Sequence, residues 1–230
     1  VATQPNSIRS NMLLAEANLA TRDYGKAKQA LRRVLELDPK YLPAQRALIA
    51  VAMSEKRSAE ALTVARSIQQ QRPKESIGYF AEAEIHASQQ RNDLAAAVLK
   101  TAFDRRPATE TAIRYHAMLL LADRRQEADR VAAAWRQRYP KDMVFVFYLG
   151  SAAIDRNEFA QAEQLFRTAL EPFPNDGNTL NNLAYTLVRQ GKPDSLKYAT
   201  RANERQPDNP AVLDTFAAAL AQAGRVPEAV

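Results

Sequence analysis

An all-α array of repeated antiparallel helix pairs is what this sequence predicts, and three observations carry the prediction. The first is a ladder of prolines, Pro5, Pro39, Pro73, Pro107, Pro140, Pro174 and Pro207, whose successive gaps are 34, 34, 34, 33, 34 and 33 residues. Proline lacks a backbone N–H and clashes with the preceding turn, so each one closes a unit. The second is a pair of small residues within each unit. Twelve residues before the later prolines lie Ala27, Ala61, Ala95, Ala128, Ala162 and Ser195, and about twelve earlier still lie Ala15, Ile49, Ala83, His116, Gly150 and Ala184. Small residues at fixed offsets let two helices approach closely; Ile49 and His116 are the departures. The third is composition. Six glycines and no cysteine in 230 residues, with abundant Ala, Leu, Gln, Glu and Arg, favour helix over sheet.

The most complete unit runs from Leu149 to Pro174, LGSAAIDRNEFAQAEQLFRTALEPFP, with Leu149–Gly150, Ala162, Phe166, Ala169 and the closing proline at characteristic offsets. At these offsets the block resembles the tetratricopeptide repeat (TPR), a helix-turn-helix unit of about 34 residues. The resemblance implies a TPR solenoid, a right-handed superhelix of antiparallel helix pairs, with six full repeats and a truncated seventh. The units fall at about 8–41, 42–75, 76–108, 109–142, 143–176, 177–209 and, in part, 210–230. They form a single array over 1–230 that reads as a fragment of a longer protein.

Taken in order, the first unit turns at Arg22, Asp23 and Tyr24 ahead of LRRVLELDP, and the second at Lys56, Arg57 and Ser58, placed there by phase. In the third, Glu82 stands where a large apolar residue is expected, which predicts a register slip of its first helix by a residue or two. The fourth carries Trp135 where alanine is preferred, as core filling with a locally wider helix spacing. The sixth turns at Gly191, which accommodates a positive φ, and loses a residue near Pro193. Residues Val1 to Pro5 read as the tail of a preceding second helix. Ala229 is the next small packing residue, and Leu213, Phe216 and Leu220 are expected to lack part of their cover.

Composition and motifs narrow the function. Without cysteine there are no disulfides and no cysteine-based nucleophile or metal chemistry. No apolar run reaches the roughly 20 residues that span a bilayer. The net charge of +6 is spread among interleaved acids and bases, the pattern of a solvated face. His86 and His116 have no third convergent ligand, and no phosphate-cradling glycine loop is present, so no catalytic, cofactor or metal site is expected and the chain is read as no enzyme. The pairs Arg32/Arg33, Arg105/Arg106 and Arg124/Arg125 are diluted by Glu36, Asp104, Asp123 and Glu127 without interleaved aromatics, which argues against nucleic acid.

The TPR resemblance implies that first helices line a concave groove. Carried onto this sequence, the lining includes Arg46, Phe80, Arg114, Phe147, Tyr148, Asn181, Asn182 and Tyr185. Aromatics anchor partners and amides bond an extended backbone, so the richest part is Phe147 and Tyr148 with Asn181, Asn182 and Tyr185. The Lys/Asn carboxylate clamp of some TPR modules is not met, because Ala50 and Ala81 stand where polar groups are needed. The expected partners are proteins or peptides, with polysaccharide as an alternative occupant and the membrane reached only through an anchor outside the sequence.

A finer resemblance lies in the last third. The string LNNLAYTLVRQGKPDSLKYATRANERQPDNPAVLDTFAAALAQAGRVPEA, preceded by Trp135 and YPKD, looks like the C-terminal arrays of bacterial PEP-CTERM/exosortase-associated TPR lipoproteins, although Phe216 and Ala217 depart from their Leu-Gly. That implies a noncatalytic scaffold in the bacterial periplasm, associated with the outer or inner membrane and linked to exopolysaccharide export or protein sorting. The alternatives are a cytoplasmic regulatory module of a larger enzyme or DNA-binding protein, and a polysaccharide-binding groove.

Overall fold

The computed structural model describes residues 7–225, so Pro5, the stretch before it and Ala229 lie outside the described residues. Thirteen α-helices and no strand occur among them: α1 (Ile8–Ala20), α2 (Tyr24–Leu37), α3 (Leu42–Ser54), α4 (Ser58–Gln71), α5 (Ile77–Ser88), α6 (Asn92–Arg105), α7 (Thr109–Leu121), α8 (Arg125–Arg138), α9 (Met143–Asp155), α10 (Phe159–Leu170), α11 (Gly177–Arg189), α12 (Ser195–Arg205) and α13 (Pro210–Gln222). The chain divides into two compact units, 1–128 and 129–230. In the first, α1 to α7 pack each against its neighbour in sequence; in the second, α9 to α13 do so, and α11 also touches α9 and α13. Connections of a few residues make consecutive helices antiparallel.

The small-residue ladder is the packing seam. Ala27, Ala61, Ala95, Ala128, Ala162 and Ser195 are at most 2% exposed, as are Ala15, Ala83, His116 and Ala184 on the first helices. Gly150 shows why size matters there: a Cβ at this position would sit 2.6 Å from the ring of the fully buried Phe166.

Helix ends are built by local chemistry. Side chains of Ser7, Asp23, Asp142, Asp176 and Asn209 accept backbone N–H groups at the starts of α1, α2, α9, α11 and α13, satisfying donors the helix cannot. Each first helix ends with a residue of positive φ: Arg22, Lys56, Gln90, Asp123, Asn157, Gly191 and Gly224, all between 57° and 76°. Bonds such as Asp23 N–H to Asn18 O (2.8 Å) and Arg57 N–H to Ala52 O (2.7 Å) close the last turn in a Schellman motif. Turns were expected at Arg22, Lys56 and Gly191, but a positive φ was legible only at Gly191, because at Arg22 and Lys56 the motif overrides side-chain preference. A left-handed conformation costs an L-residue about 1–2 kcal/mol, so Lys56→Gly is expected to stabilise unit 1 by ~0.5–1 kcal/mol, read as a raised melting temperature.

The register of α5 does not slip. Ala83 stays in the seam, and the buried Glu82 carboxylate is satisfied by Arg66 Nε (3.0 Å) and Gln69 Nε2 (2.5 Å) from α4. A paired carboxylate takes the place of the apolar residue expected there. Likewise Leu220 is buried rather than short of cover, closing on α13's inner face, while Leu213 is 44% exposed. Trp135 is buried as expected, its Nε1 donating to Asp142 Oδ2 (2.8 Å) and its ring beside Tyr139 and Phe145.

Polar contacts tie successive repeats together. Lys28 Nζ reaches Glu55 at 2.7 Å, and the guanidiniums of Arg72 and Arg106 donate to the carbonyls of Lys40 and Lys74 in the preceding loops. In unit 2 the buried Glu163 accepts from Lys192 Nζ (2.6 Å), Gln190 Nε2 (3.0 Å) and Arg167 Nε (3.0 Å). Burial pushes this carboxyl up, but the hydrogen bonds from Lys192, Arg167 and Gln190 outweigh it and hold the group below its ordinary value of 4.5. Because the folded value is the lower one, its stabilisation is present above the unfolded value and is lost as pH falls through the folded value. Glu163→Gln is expected to cost about 1–3 kcal/mol at neutral pH. The gap from the native protein in thermal melts narrows as pH drops below 4.5.

Candidate functional site

The α9 sequence MVFVFYLG is apolar on every side, and a helix at the surface of an array cannot bury all of its faces. Phe145, Val146 and Leu149 go inward. Met143 and Val144 stand outside that inner face, with Val144 65% exposed. After α10, Pro172 and Pro174 prevent helix continuation and hold Phe173 outward, 59% exposed. The first turn of α11, capped by Asp176, completes the enclosure with Asn178 and Thr179. Together these elements line a cleft of 660 Å³ whose walls are Met143, Val144, Phe147, Ala169 and the Pro172–Pro174 loop. Phe147 stands edge-on to buried Phe166, with ring centroids 5.8 Å apart, so this wall is supported from within.

One end of the cleft is polar. Asp176 Oδ2 accepts from Thr179 N (2.8 Å) and Oγ1 (2.6 Å), while Asn178 Oδ1 accepts from Gln206 Nε2 (3.0 Å). Arg201 donates to Pro174 O (2.5 Å) and is 3.4 Å from Asn175 Oδ1, so it fastens the loop without lining the cleft.

Unit 1 holds a cleft of 510 Å³ that brings together three residues expected from the sequence, Arg46, Phe80 and Arg114. Its charges largely answer one another. Arg114 lies 4.4 Å above the Phe80 ring and bonds Glu84 (3.0 Å) and Glu110 (3.2 Å), and Glu75 also lines the cleft.

Of the expected unit 2 patch, Phe147 alone lines the large cleft. Tyr148 is half-buried with its ring 5.8 Å from that of Phe145, and burial pushes its phenol up to about 12, with Asp155 adding to the rise and Arg156 opposing it. Asn181 Oδ1 is buried without a hydrogen-bond partner, and Asn182 O accepts from Thr186 Oγ1. Tyr185 accepts from Arg189 Nη1 (2.6 Å), and the same guanidinium lies 4.6 Å over Phe159. Sequence reasoning missed the Pro172–Asp176 loop, although Phe173 between two prolines was the available signal.

The other singled-out residues are structural. His86 and His116 are buried, with His86 Nε2 3.8 Å from Glu82 Oε1. Among the described residues no three His, Asp or Glu side chains are grouped to hold a metal ion. Two of the arginine pairs meet acids, Arg33 bonding Glu36 (2.6 Å), Arg32 lying 3.6 Å from Glu60 and Arg124 pairing with Glu127 (2.5 Å), while Arg105 lies over the Tyr79 ring and Arg106 bonds Lys74 O. Tyr115 donates to Glu127 (2.7 Å), and burial together with that carboxylate raises its phenol. No helix among the described residues is long and apolar enough to cross a membrane.

Comparisons with known proteins agree with this architecture. Tetratricopeptide repeat models match residues 8–41 and, in overlapping stretches, 123–177 and 147–210, together just over half of the 230 residues. A TPR repeat-containing protein of Pseudomonas aeruginosa is 30% identical over 108 residues, 43% of this chain and 18% of that protein, so the match spans under a fifth of the relative's length. Among solved structures, yeast Tom70 superposes with a TM-score of 0.66 at 15% identity, over 96% of this chain and 48% of that one. A tetratricopeptide repeat protein of Parabacteroides merdae gives 0.58 at 11% identity, over 96% and 89%. At such identities the likeness concerns the fold. With helix pairs, a buried seam of small residues and repeat models over just over half of its length, the chain belongs to the tetratricopeptide repeat family, whose fold is that of protein-interaction scaffolds.

Proposed function

We propose that the chain is a noncatalytic scaffold that holds an apolar peptide segment of a protein partner in the unit 2 cleft. The observation that supports this most is the exposure of Val144 and Phe173 around a preformed 660 Å³ recess. Large apolar side chains so placed mark an interaction site, and a recess supported by the Phe147–Phe166 contact needs little ordering on binding. The test is selection of random short peptides displayed on phage against the native protein, followed by rebinding to Val144→Asp. Val144 is exposed, so the variant folds. Selected peptides are expected to lose at least about tenfold in affinity. Peptides that bind both proteins equally would place the site elsewhere.

The compartment proposed is the bacterial cell envelope, in a polymer-export or surface-sorting assembly, on the resemblance carried by LNNLAYTLVRQ and PDNPAVLDT. Fractionation of cells making the full gene product tests this; recovery in the cytosol rather than with the periplasm or membranes sinks it.

A further inference from the structure

We infer that the occupant of the unit 2 cleft is an apolar peptide segment that carries a lysine or arginine beside its apolar residues, an inference that rests on the cleft being the docking site. The cleft's charge points this way. In a chain of net charge +6, the one ionisable side chain in its lining is an aspartate, Asp176. That residue is exposed; Oδ2 caps α11, and Oδ1 has no partner among the described residues. Glu171, at the C-terminal end of α10, is a second exposed carboxylate that meets no cation among the described residues. The end of α10 adds the negative pole of its helix dipole on the side where Ala169 joins the wall. Arg201 bonds Pro174 O behind the loop and does not line the cleft.

The contrast with unit 1 sharpens this. There Glu84 and Glu110 are matched by Arg114, leaving a cleft of mixed sign. In unit 2 the Asp176 carboxylate meets no cation among the described residues and stands beside exposed apolar surface. An acidic peptide would place like charges together and be disfavoured; a neutral one would leave Asp176 Oδ1 to water. A segment with apolar side chains against Val144, Phe147 and Phe173 and a cation at Asp176 satisfies both halves of the cleft.

The experiment uses the same phage-selected peptides with the full chain and two variants. Asp176→Asn keeps the helix cap, since asparagine caps as well as aspartate, and removes only the charge. Val144→Asp spoils the apolar wall. Peptides that require the Val144 wall are expected to be enriched in Lys or Arg over Asp or Glu. Their affinity, read by fluorescence anisotropy of a labelled synthetic copy, is expected to fall about threefold to tenfold on Asp176→Asn, and not to fall when the peptide's basic residue is already alanine. Wall-dependent peptides with no basic excess, or with unchanged affinity for Asp176→Asn, overturn the inference and leave the docking site standing. Peptides indifferent to Val144→Asp overturn the docking site itself. Self-association of the native protein that Val144→Asp abolishes overturns the inference in favour of a second copy.

Discussion

Phe166→Ala is expected to remove about 3–5 kcal/mol of unfolding free energy from unit 2, read as a lower midpoint in urea followed by circular dichroism. Phe166 is fully buried in a cluster with Ala153, Ala162, Leu170, Leu180, Leu183 and Leu187. Gly150 and Phe147 close on its ring from α9. Three helices therefore meet one side chain, and α11 is also held by α12 and α13, so the hole cannot collapse cheaply. A loss below about 1 kcal/mol would mean that the ring is not the junction described. The same variant undermines Phe147 and is expected to weaken cleft binding as well.

Gly78→Val is expected to cost about 3 kcal/mol in unit 1, the upper end of overpacking penalties. Valine is a better helix former than glycine by only a few tenths of a kcal/mol, so propensity favours the change weakly. Sterics oppose it strongly: a Cβ at residue 78 would lie 2.7 Å from the backbone nitrogen of Gln69 and 3.0 Å from Ala65 O. Backbone atoms of α4 cannot swing aside, so α4 and α5 must part and the Glu82 pairing with Arg66 and Gln69 goes with them. Gly25→Val is the control, since its added Cβ would meet only Asp23 Oδ1 at 3.7 Å. Equal melting of the two variants would contradict the close approach.

The fold was legible because its signals are local and repeated. Prolines and small residues recur at fixed offsets, and each small residue answers to one steric requirement, so Ala27 to Ser195 could be placed in the seam without a partner being known. Glu82 misled because a sequence shows a buried charge but not the Arg66 and Gln69 that meet it from another helix. The site was half legible. Phe147 was found through its helix position, yet the cleft is completed by a loop and by the start of α11, which no helical periodicity reports. Tyr185 lies seven residues beyond Asn178, about 10 Å further along the same helix, so aromatic content placed on one face in sequence is spread along it in space.

The most direct measurement is photo-cross-linking with a benzoylphenylalanine placed at Val144 in one protein and at Glu84, in the unit 1 cleft, in another, each mixed with a phage-selected peptide. The unit 2 site predicts a covalent adduct from position 144 and none from 84. An adduct from 84 alone, or equal yields from both, would contradict it.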